Sequence, residues 1–248
     1  QVLLPKVFNF PFTYNSRFRN KIGNIVEVPF GSKKEIGVIW KNNYFEPENI
    51  KIKDVLDETE YSIDRNLINF IEWFSSYNMV SMGLVLKMVI GGSDKFIRLK
   101  DNFIKEKKIP KKTYRLNNEQ TEALRFLETI NNKFDVSVLQ GTTGSGKTLV
   151  YFERIKKIIE KKYQALVLLP EIFLTNEFKS RFEDFFGFEP AIWHSKITPK
   201  QKRIIWKGVI KNKIKILVGA RSALLLPFKK LGIIIVDEEH DTSYKQEE

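Results

Sequence analysis

One glycine-rich string between two apolar runs limits the folds open to this chain more than any other feature. It reads Gly141-Thr-Thr-Gly-Ser-Gly146-Lys147-Thr148, the spacing of a phosphate-binding loop. Val136-Ser-Val-Leu139 precedes it and reads as a buried strand. Leu149, Phe152, Ile155, Ile158 and Ile159 follow at helical spacing. Strand, glycine turn and helix are the surroundings such a loop requires. Glycine lets backbone approach an anion where a side chain would block it. Successive N–H groups and the positive end of a helix dipole then face the phosphates. Gly141, Thr142, Thr143, Gly144, Ser145, Gly146, Lys147 and Thr148 are therefore the candidate nucleotide contacts. In this pattern Lys147 reaches the outer phosphates, and the Thr148 hydroxyl serves Mg²⁺.

A second string completes the chemistry. Gly232-Ile-Ile-Ile-Val-Asp-Glu-Glu-His240 is an apolar run ending in acids. Read as a fully buried strand, it delivers Asp237 and Glu238 at its carboxyl end, where ligands bind in open parallel sheets. Asp237 can hold Mg²⁺, and Glu238 can orient an attacking water. Between the two strings strands and helices alternate: strand 165–169, helix 173–186, strand 191–193, helix 199–210, strand 214–218, strand 233–236. Thr198-Pro199 supplies a cap and a first-turn proline. Asn118 is the expected cap of a helix carrying Ala123, Leu124, Leu127 and Ile130. The alternation predicts an α/β lobe, a parallel sheet with helices on both faces.

The residues before this lobe have a different pattern. Val2–Leu4, Ile25–Val28, Ile36–Trp40 and Ile50–Leu56 read as strands, the middle pair as a hairpin around Pro-Phe-Gly-Ser-Lys-Lys. Helices follow: one capped by Ser62 with a stripe of Ile63, Leu67, Phe70, Ile71 and Phe74, and one over 81–90 ending at Gly91-Gly92. Met79, Met82 and Met88 read as core filler. The expected division is a β-rich domain with trailing helices over 1–93, a charged linker over 94–113 and the α/β lobe over 114–248.

A formal net charge of +12 favours a polyanionic partner, nucleic acid first. Runs of Lys that merely solvate a surface are the competing explanation. There is no Cys, so disulfides and Cys-based zinc sites are excluded within these residues, and a reducing, cytoplasmic location is compatible. No apolar window is long enough to span a bilayer. The first residue is Gln1 and not Met, so residues upstream are expected.

Asp-Glu-Glu-His at 237–240 resembles motif II of the DExH kind of superfamily 2 helicases. The wider pattern resembles the PriA-type family of replication-restart DNA helicases. The strings that carry this are Leu116-Asn-Asn-Glu-Gln120, Leu166-Val-Leu-Leu-Pro-Glu-Ile-Phe-Leu-Thr175, His194-Ser195, Val218-Gly-Ala-Arg-Ser-Ala-Leu-Leu-Leu-Pro-Phe228 and Asp237 to Gln246. The N-terminal strings Val2-Leu-Leu-Pro5, Phe12-Thr-Tyr14 and Val28-Pro-Phe-Gly31 fit as well. The resemblance implies a RecA-like phosphate-loop lobe behind a β-rich DNA-binding domain, and it implies adenine recognition by Gln120. It further implies a pocket for the 3′ end of a leading strand lined by Phe12, Thr13, Gly31 and Lys51. The Pro170-Glu171 loop with Thr175, and His194, Ser195, Arg221 and Ser222, would meet single-stranded DNA backbone, with Tyr244 and Lys245 starting a DNA-sensing loop. The family usually has Asp where Thr13 stands here.

The expected function is thus an ATP-dependent DNA helicase acting at stalled or repaired forks in primosome assembly. ATP and Mg²⁺ are the expected cofactors. Forked or single-stranded DNA is the expected partner, with other primosome proteins and single-strand-binding protein by resemblance. The sequence ends soon after motif II, and a winged helix, a second lobe with its arginine finger and a cysteine-rich zinc module do not occur in it. Hydrolysis by this chain alone is accordingly expected to be weak. Two alternatives remain: another superfamily 2 DNA or RNA translocase, and a DNA-binding protein without ATPase activity.

Overall fold

The computed structural model describes residues 1–18, 21–42, 51–91, 107, 114–129 and 134–244. The expected linker lies outside them except for Lys107, as do Ile50, Gly92, Ile130 and Lys245. The chain forms two compact units. The first comprises Gln1–Ile104, Ile197–Asn212 and Leu225–Lys229, and the second comprises Lys105–Lys196, Lys213–Leu224 and Lys230–Glu248.

The first unit holds an antiparallel sheet in the order β1-β3-β2-β4, with β1 at Val2–Leu3, β2 at Asn24–Phe30, β3 at Lys33–Ile39 and β4 at Asp57–Ser62. The expected hairpin is present, with Phe30 opposite Lys33 and Gly31 at φ 60° in the turn. Val2, Leu4, Val26, Val28, Ile39 and Val55 form its core, closed by the rings of Phe12, Tyr14, Phe18 and Phe30.

The expected strand over 50–56 is not the one that joins the sheet; the polar run Asp57–Ser62 pairs with β2 instead. The backbone of Lys53 and Val55 is taken up by Asn15, at 3.0 and 2.8 Å. An edge position then tolerates the charges of β4, and Tyr61 supplies its buried side chain. Because Ser62 is part of β4, Asp64 caps the first helix, α1 (Arg65–Tyr77), accepting from Leu67 N at 2.8 Å. Helix α2 (Met82–Ile90) ends on Gly91 in the left-handed region, as expected. Two of the methionines do not fill the core. Met79 lies almost wholly in solvent and Met88 is half exposed.

A helix over Pro199–Ile210 forms where expected, with a complete capping box between Thr198 and Gln201. It belongs to the first unit, although the elements that flank it in sequence belong to the second. Its Trp206 is buried, donates from Nε1 to Val89 O at 2.7 Å and meets the Tyr61 ring edge-on at 5.5 Å.

In the second unit α3 (Asn118–Thr129) is capped one residue earlier than expected. Asn117 Oδ1 accepts from Gln120 N at 2.8 Å. Helix α4 (Lys147–Glu160) follows the phosphate loop. The remaining elements are β5 (Gln164–Leu168), α5 (Asn176–Phe186), β6 (Ala191–Trp193), β7 (Ile216–Gly219) and β8 (Leu231–Val236). With Pro199–Ile210 counted as α6, the helices among the described residues are numbered in chain order. The four strands are parallel, in the order β6-β7-β5-β8. Phe152 of α4 and Phe182, Phe185 and Phe186 of α5 pack with Ala165, Val167, Ile216 and Val218 of the sheet.

Two strand expectations fail here. Val136–Leu139 is not a strand, and Val136 and Val138 are largely exposed. β8 forms but is not fully buried: it lies at the edge of the described sheet, with Ile234 44% and Val236 48% exposed. An apolar run satisfies a central or an edge position equally, because its period carries no information about neighbours. The helix expected from Phe173 starts at Asn176. Pro170 is followed by a 3₁₀ turn over Glu171–Phe173 before Thr175 opens the α-helix.

Candidate functional site

The phosphate loop is an exposed turn that runs into α4. Gly144 and Gly146 have φ of 80° and 83°, a region costly for any residue with a Cβ. Gly146 O accepts from Leu149 N and Val150 N at 3.0 and 3.3 Å, which starts the helix. The N–H groups of Lys147 and Thr148, at the start of the helix, have no carbonyl within it to bond and are the ones open to an anion. Lys147 Nζ donates to the loop carbonyls of Gly141 and Thr142 at 2.6 and 3.1 Å. Gln120 braces the loop from outside. Its Nε2 donates to Ser145 O at 3.0 Å, and its Oε1 accepts from Asn117 N at 3.1 Å.

Asp237 reaches this loop through α4. β8 ends at Val236, and Asp237 N continues the pairing to Leu168 O at 3.1 Å. The Tyr151 hydroxyl, on the first turns of α4, donates to Asp237 Oδ2 at 2.8 Å. The Thr148 side chain is near enough to the same hydroxyl to pull its pKa slightly down, against the larger upward effects. One phenol is therefore bonded to Asp237 and neighbours Thr148, the two oxygen donors that the sequence assigns to Mg²⁺. Burial first, then the Asp237 charge, pushes the Tyr151 phenol well above its ordinary range. Glu238 N donates to Asp237 Oδ1 at 3.1 Å, Glu238 has φ 52°, and its carboxylate lies 3.7 Å from His240 Nε2. Tyr244 closes the loop from below, its hydroxyl on Asp237 O at 2.9 Å.

The donor set fits a magnesium-bound triphosphate. Backbone amides at a helix N-terminus and a Lys ammonium suit phosphate oxygens. A hydroxyl and one carboxylate suit a hard cation that takes its other ligands from phosphates and water. Among the described residues no three His, Cys, Asp or Glu side chains gather to form a metal cage, so the phosphates would have to complete any such site.

The candidate DNA residues of this unit stand beyond the carboxyl ends of β5, β6 and β7, and most of them already have protein partners. Thr175 Oγ1 caps α5, accepting from Phe178 N at 3.2 Å. Ser195 donates to Glu171, from Oγ at 2.9 Å and from N at 3.1 Å. These bonds hold the Glu171 carboxyl below its ordinary value. His194 Nδ1 accepts from Lys196 N at 3.3 Å, and Ser222 Oγ accepts from Trp193 Nε1 at 3.2 Å. Arg221 donates to Tyr244 O at 3.2 Å, which links it to the loop after Asp237.

In the first unit Phe12 lies near the hairpin that carries Gly31, and Thr13 follows it in sequence. The Phe12 ring meets Phe8 at 4.9 Å and Phe30 at 5.4 Å. Space beside Gly31 is open, and Lys53 Nζ lies 3.5 Å from its carbonyl. Lys51 is exposed on the same segment as Lys53.

Sequence reasoning missed Tyr151 and the rings of Phe8 and Phe30, and it gave Glu171 and Tyr244 to DNA where the structure shows them bonded to Ser195 and to the Asp237 carbonyl. Only Tyr151 left a usable trace. It sits three residues after Thr148 and four after Lys147, and that spacing puts it on their face of a helix.

No helix among the described residues is long and apolar enough to cross a membrane. Residues 113–248 match the family model described as type III restriction enzyme, res subunit (ResIII). Residues 1–91 match the one described as 3′DNA-binding domain (3′BD). The chain is 39% identical over 255 residues to the replication restart protein PriA of Rickettsia felis, covering 100% of this chain and 38% of the relative. It is 35% identical over 239 residues to that of Helicobacter pylori strain J99, covering 96% and 36%. It is 43% identical over 135 residues to that of Bacillus subtilis, covering 54% and 17%. The chain thus spans 38% of the length of the Rickettsia relative and less of the other two.

Proposed function

The chain belongs to the ResIII family and, along its whole length, to the PriA kind of replication restart protein, and from that membership we propose that it binds ATP–Mg²⁺ and branched or single-stranded DNA as part of an ATP-dependent helicase working at stalled or repaired replication forks in the cytoplasm. The observation that carries this reading is the hydrogen bond from Tyr151 to Asp237 at 2.8 Å. It ties the helix that opens on the phosphate loop to the acidic end of β8, the arrangement phosphoryl transfer from a nucleotide requires.

The roles follow from the chemistry of each group. The amides from Gly141 to Thr148 cradle the phosphates. Lys147 leaves the carbonyls of Gly141 and Thr142 for phosphate oxygens, exchanging neutral acceptors for charged ones, which are stronger. Thr148 and Asp237 would hold Mg²⁺, which when bound neutralises charge on the phosphates. Glu238 orients the attacking water. Gln120 reads the adenine edge while bracing the loop.

For DNA, Phe12, Thr13, Gly31 and Lys51 line the site for a 3′ terminal nucleotide, with Lys53 beside them. An aromatic ring and a lysine suit a base and its phosphate. His194, Ser195, Arg221, Ser222 and Thr175 meet the backbone without reading sequence. Other primosome proteins and single-strand-binding protein are the partners this membership suggests.

Two titrations test the proposal. Fluorescent ATP analogue should bind with Mg²⁺, and Lys147→Ala should abolish that binding. A fork with a free 3′ leading end should compete better than single-stranded RNA of equal length. Equal competition would turn the reading toward another translocase of the same superfamily, and no nucleotide binding at millimolar concentration would end it.

A further inference from the structure

Tyr151 is buried to 4% exposure, and its ring lies edge-on to Phe152 at 5.1 Å. Packing alone would accept Phe there. The hydroxyl is what Tyr adds, and a hydroxyl in a core is a cost unless it is bonded. Here it is bonded, to Asp237 Oδ2 at 2.8 Å. The partner is 86 residues away in sequence, so the bond is a tertiary tie between α4 and the end of β8. Asp237 Oδ1 is held as well, by Glu238 N at 3.1 Å. Both oxygens are therefore oriented by the protein, and each keeps a lone pair for another ligand.

We propose that Tyr151 is a positioning residue: its hydroxyl pre-orients the Asp237 carboxylate beside Thr148 so that Mg²⁺ of the nucleotide complex meets a ligand already in place. The inference rests on the reading of Asp237 as a magnesium-side acid and deepens it. Groups that orient a metal-binding carboxylate commonly change metal affinity about 10–100-fold when removed. Tyr151 does not touch the nucleotide in this account. It acts through the side chains assigned to the metal, Asp237 above all, so its loss should appear only when the metal is present.

The test compares Tyr151→Phe with the unaltered protein in nucleotide titrations with Mg²⁺ and with EDTA. Phe keeps the ring and its packing, so the core survives. The expected result is a Mg²⁺-dependent gain in affinity about tenfold smaller in the variant, with the EDTA affinity the same in both. An unchanged gain overturns the inference, whatever happens to the melting temperature. Equal weakening with and without Mg²⁺ also overturns it, because a purely structural Tyr would behave that way. No Mg²⁺-dependent gain in the unaltered protein would instead overturn the functional reading, and this inference with it.

Discussion

The sharpest prediction concerns two glycines of the phosphate loop that share a backbone conformation but not a neighbourhood. Gly144 and Gly146 have φ of 80° and 83°. Alanine in that region costs about 1–2 kcal/mol. At Gly144 a new Cβ meets nothing within 4 Å, so the backbone cost is the whole cost. At Gly146 it would sit 2.3 Å from Gln120 Nε2. That amide ends a flexible side chain, so it can swing away, but it then forfeits its 3.0 Å bond to Ser145 O. Such a bond contributes about 1 kcal/mol net. The loop is exposed and leaves its shape without unfolding the lobe, so both costs appear as lost nucleotide affinity. At about 1.4 kcal/mol per decade, Gly144→Ala should weaken binding roughly 5–30-fold. Gly146→Ala should weaken it about fivefold further. In a Gln120→Ala background the difference should vanish, because the displaced amide is gone. Titration of a fluorescent nucleotide against the five variants measures all of this. Equal losses at the two glycines with Gln120 present, or a fivefold difference that persists without it, would refute the reasoning.

Other expectations come from single contacts. Ser195→Ala should raise the Glu171 carboxyl toward its ordinary range, since the single hydroxyl bond shared between its two oxygens at 2.9 and 3.2 Å is lost and only the N–H remains. A depressed carboxyl contributes stability above its unfolded value and loses it as pH falls through the folded one. The stability difference between the two proteins should therefore shrink in acid, while NMR titration reads Glu171 directly. Thr175→Ala removes the cap of α5 and should cost about 1 kcal/mol in urea denaturation; weaker DNA binding at unchanged stability would contradict the capping role. Trp206→Phe leaves the carbonyl of Val89 without its 2.7 Å donor and should cost about 1–3 kcal/mol, read from the same denaturation curves.

Local chemistry was legible wherever a few adjacent residues decide the outcome. The phosphate loop, Gly91 at the end of α2, and Thr198-Pro199 with Gln201 all formed where their spacing puts them, because a turn or a cap is a contract among neighbours. Partner choice was not legible. The β-branched Ile50–Leu56 looked a better strand than Asp57–Ser62, yet the latter joined β2 because Asn15 already occupied the backbone of 53–55. Val136 and Val138 had the pattern of a core strand and lie in solvent among the described residues. The helix at Pro199–Ile210 was found to the residue but assigned to the wrong neighbours, since nothing local says that Trp206 will meet Val89 and Tyr61.

The candidate site divides along the same line. Residues that would touch a ligand announce themselves, because a phosphate demands a particular loop and a cation a particular oxygen. Residues that hold those residues do not, because their demands are met by a partner whose sequence position is arbitrary. Glu171 takes two bonds from Ser195, and Tyr151 gives one to Asp237. Each of these supports is an ordinary residue made specific by a fold. A serine or threonine proposed for DNA from its type alone must therefore first release a protein partner, and that exchange lowers its net worth to DNA to a fraction of a free hydroxyl's. Arg221 is different. Its bond to the Tyr244 carbonyl, 3.2 Å long, is neutral on the acceptor side, and a phosphate would be the stronger acceptor. DNA affinity should consequently fall far more for Arg221→Ala than for Ser195→Ala or Thr175→Ala. A filter-binding series at several salt concentrations would show it, with the salt dependence reduced only for Arg221→Ala. Equal losses across the three would mean that the hydroxyls, despite their protein partners, carry the DNA.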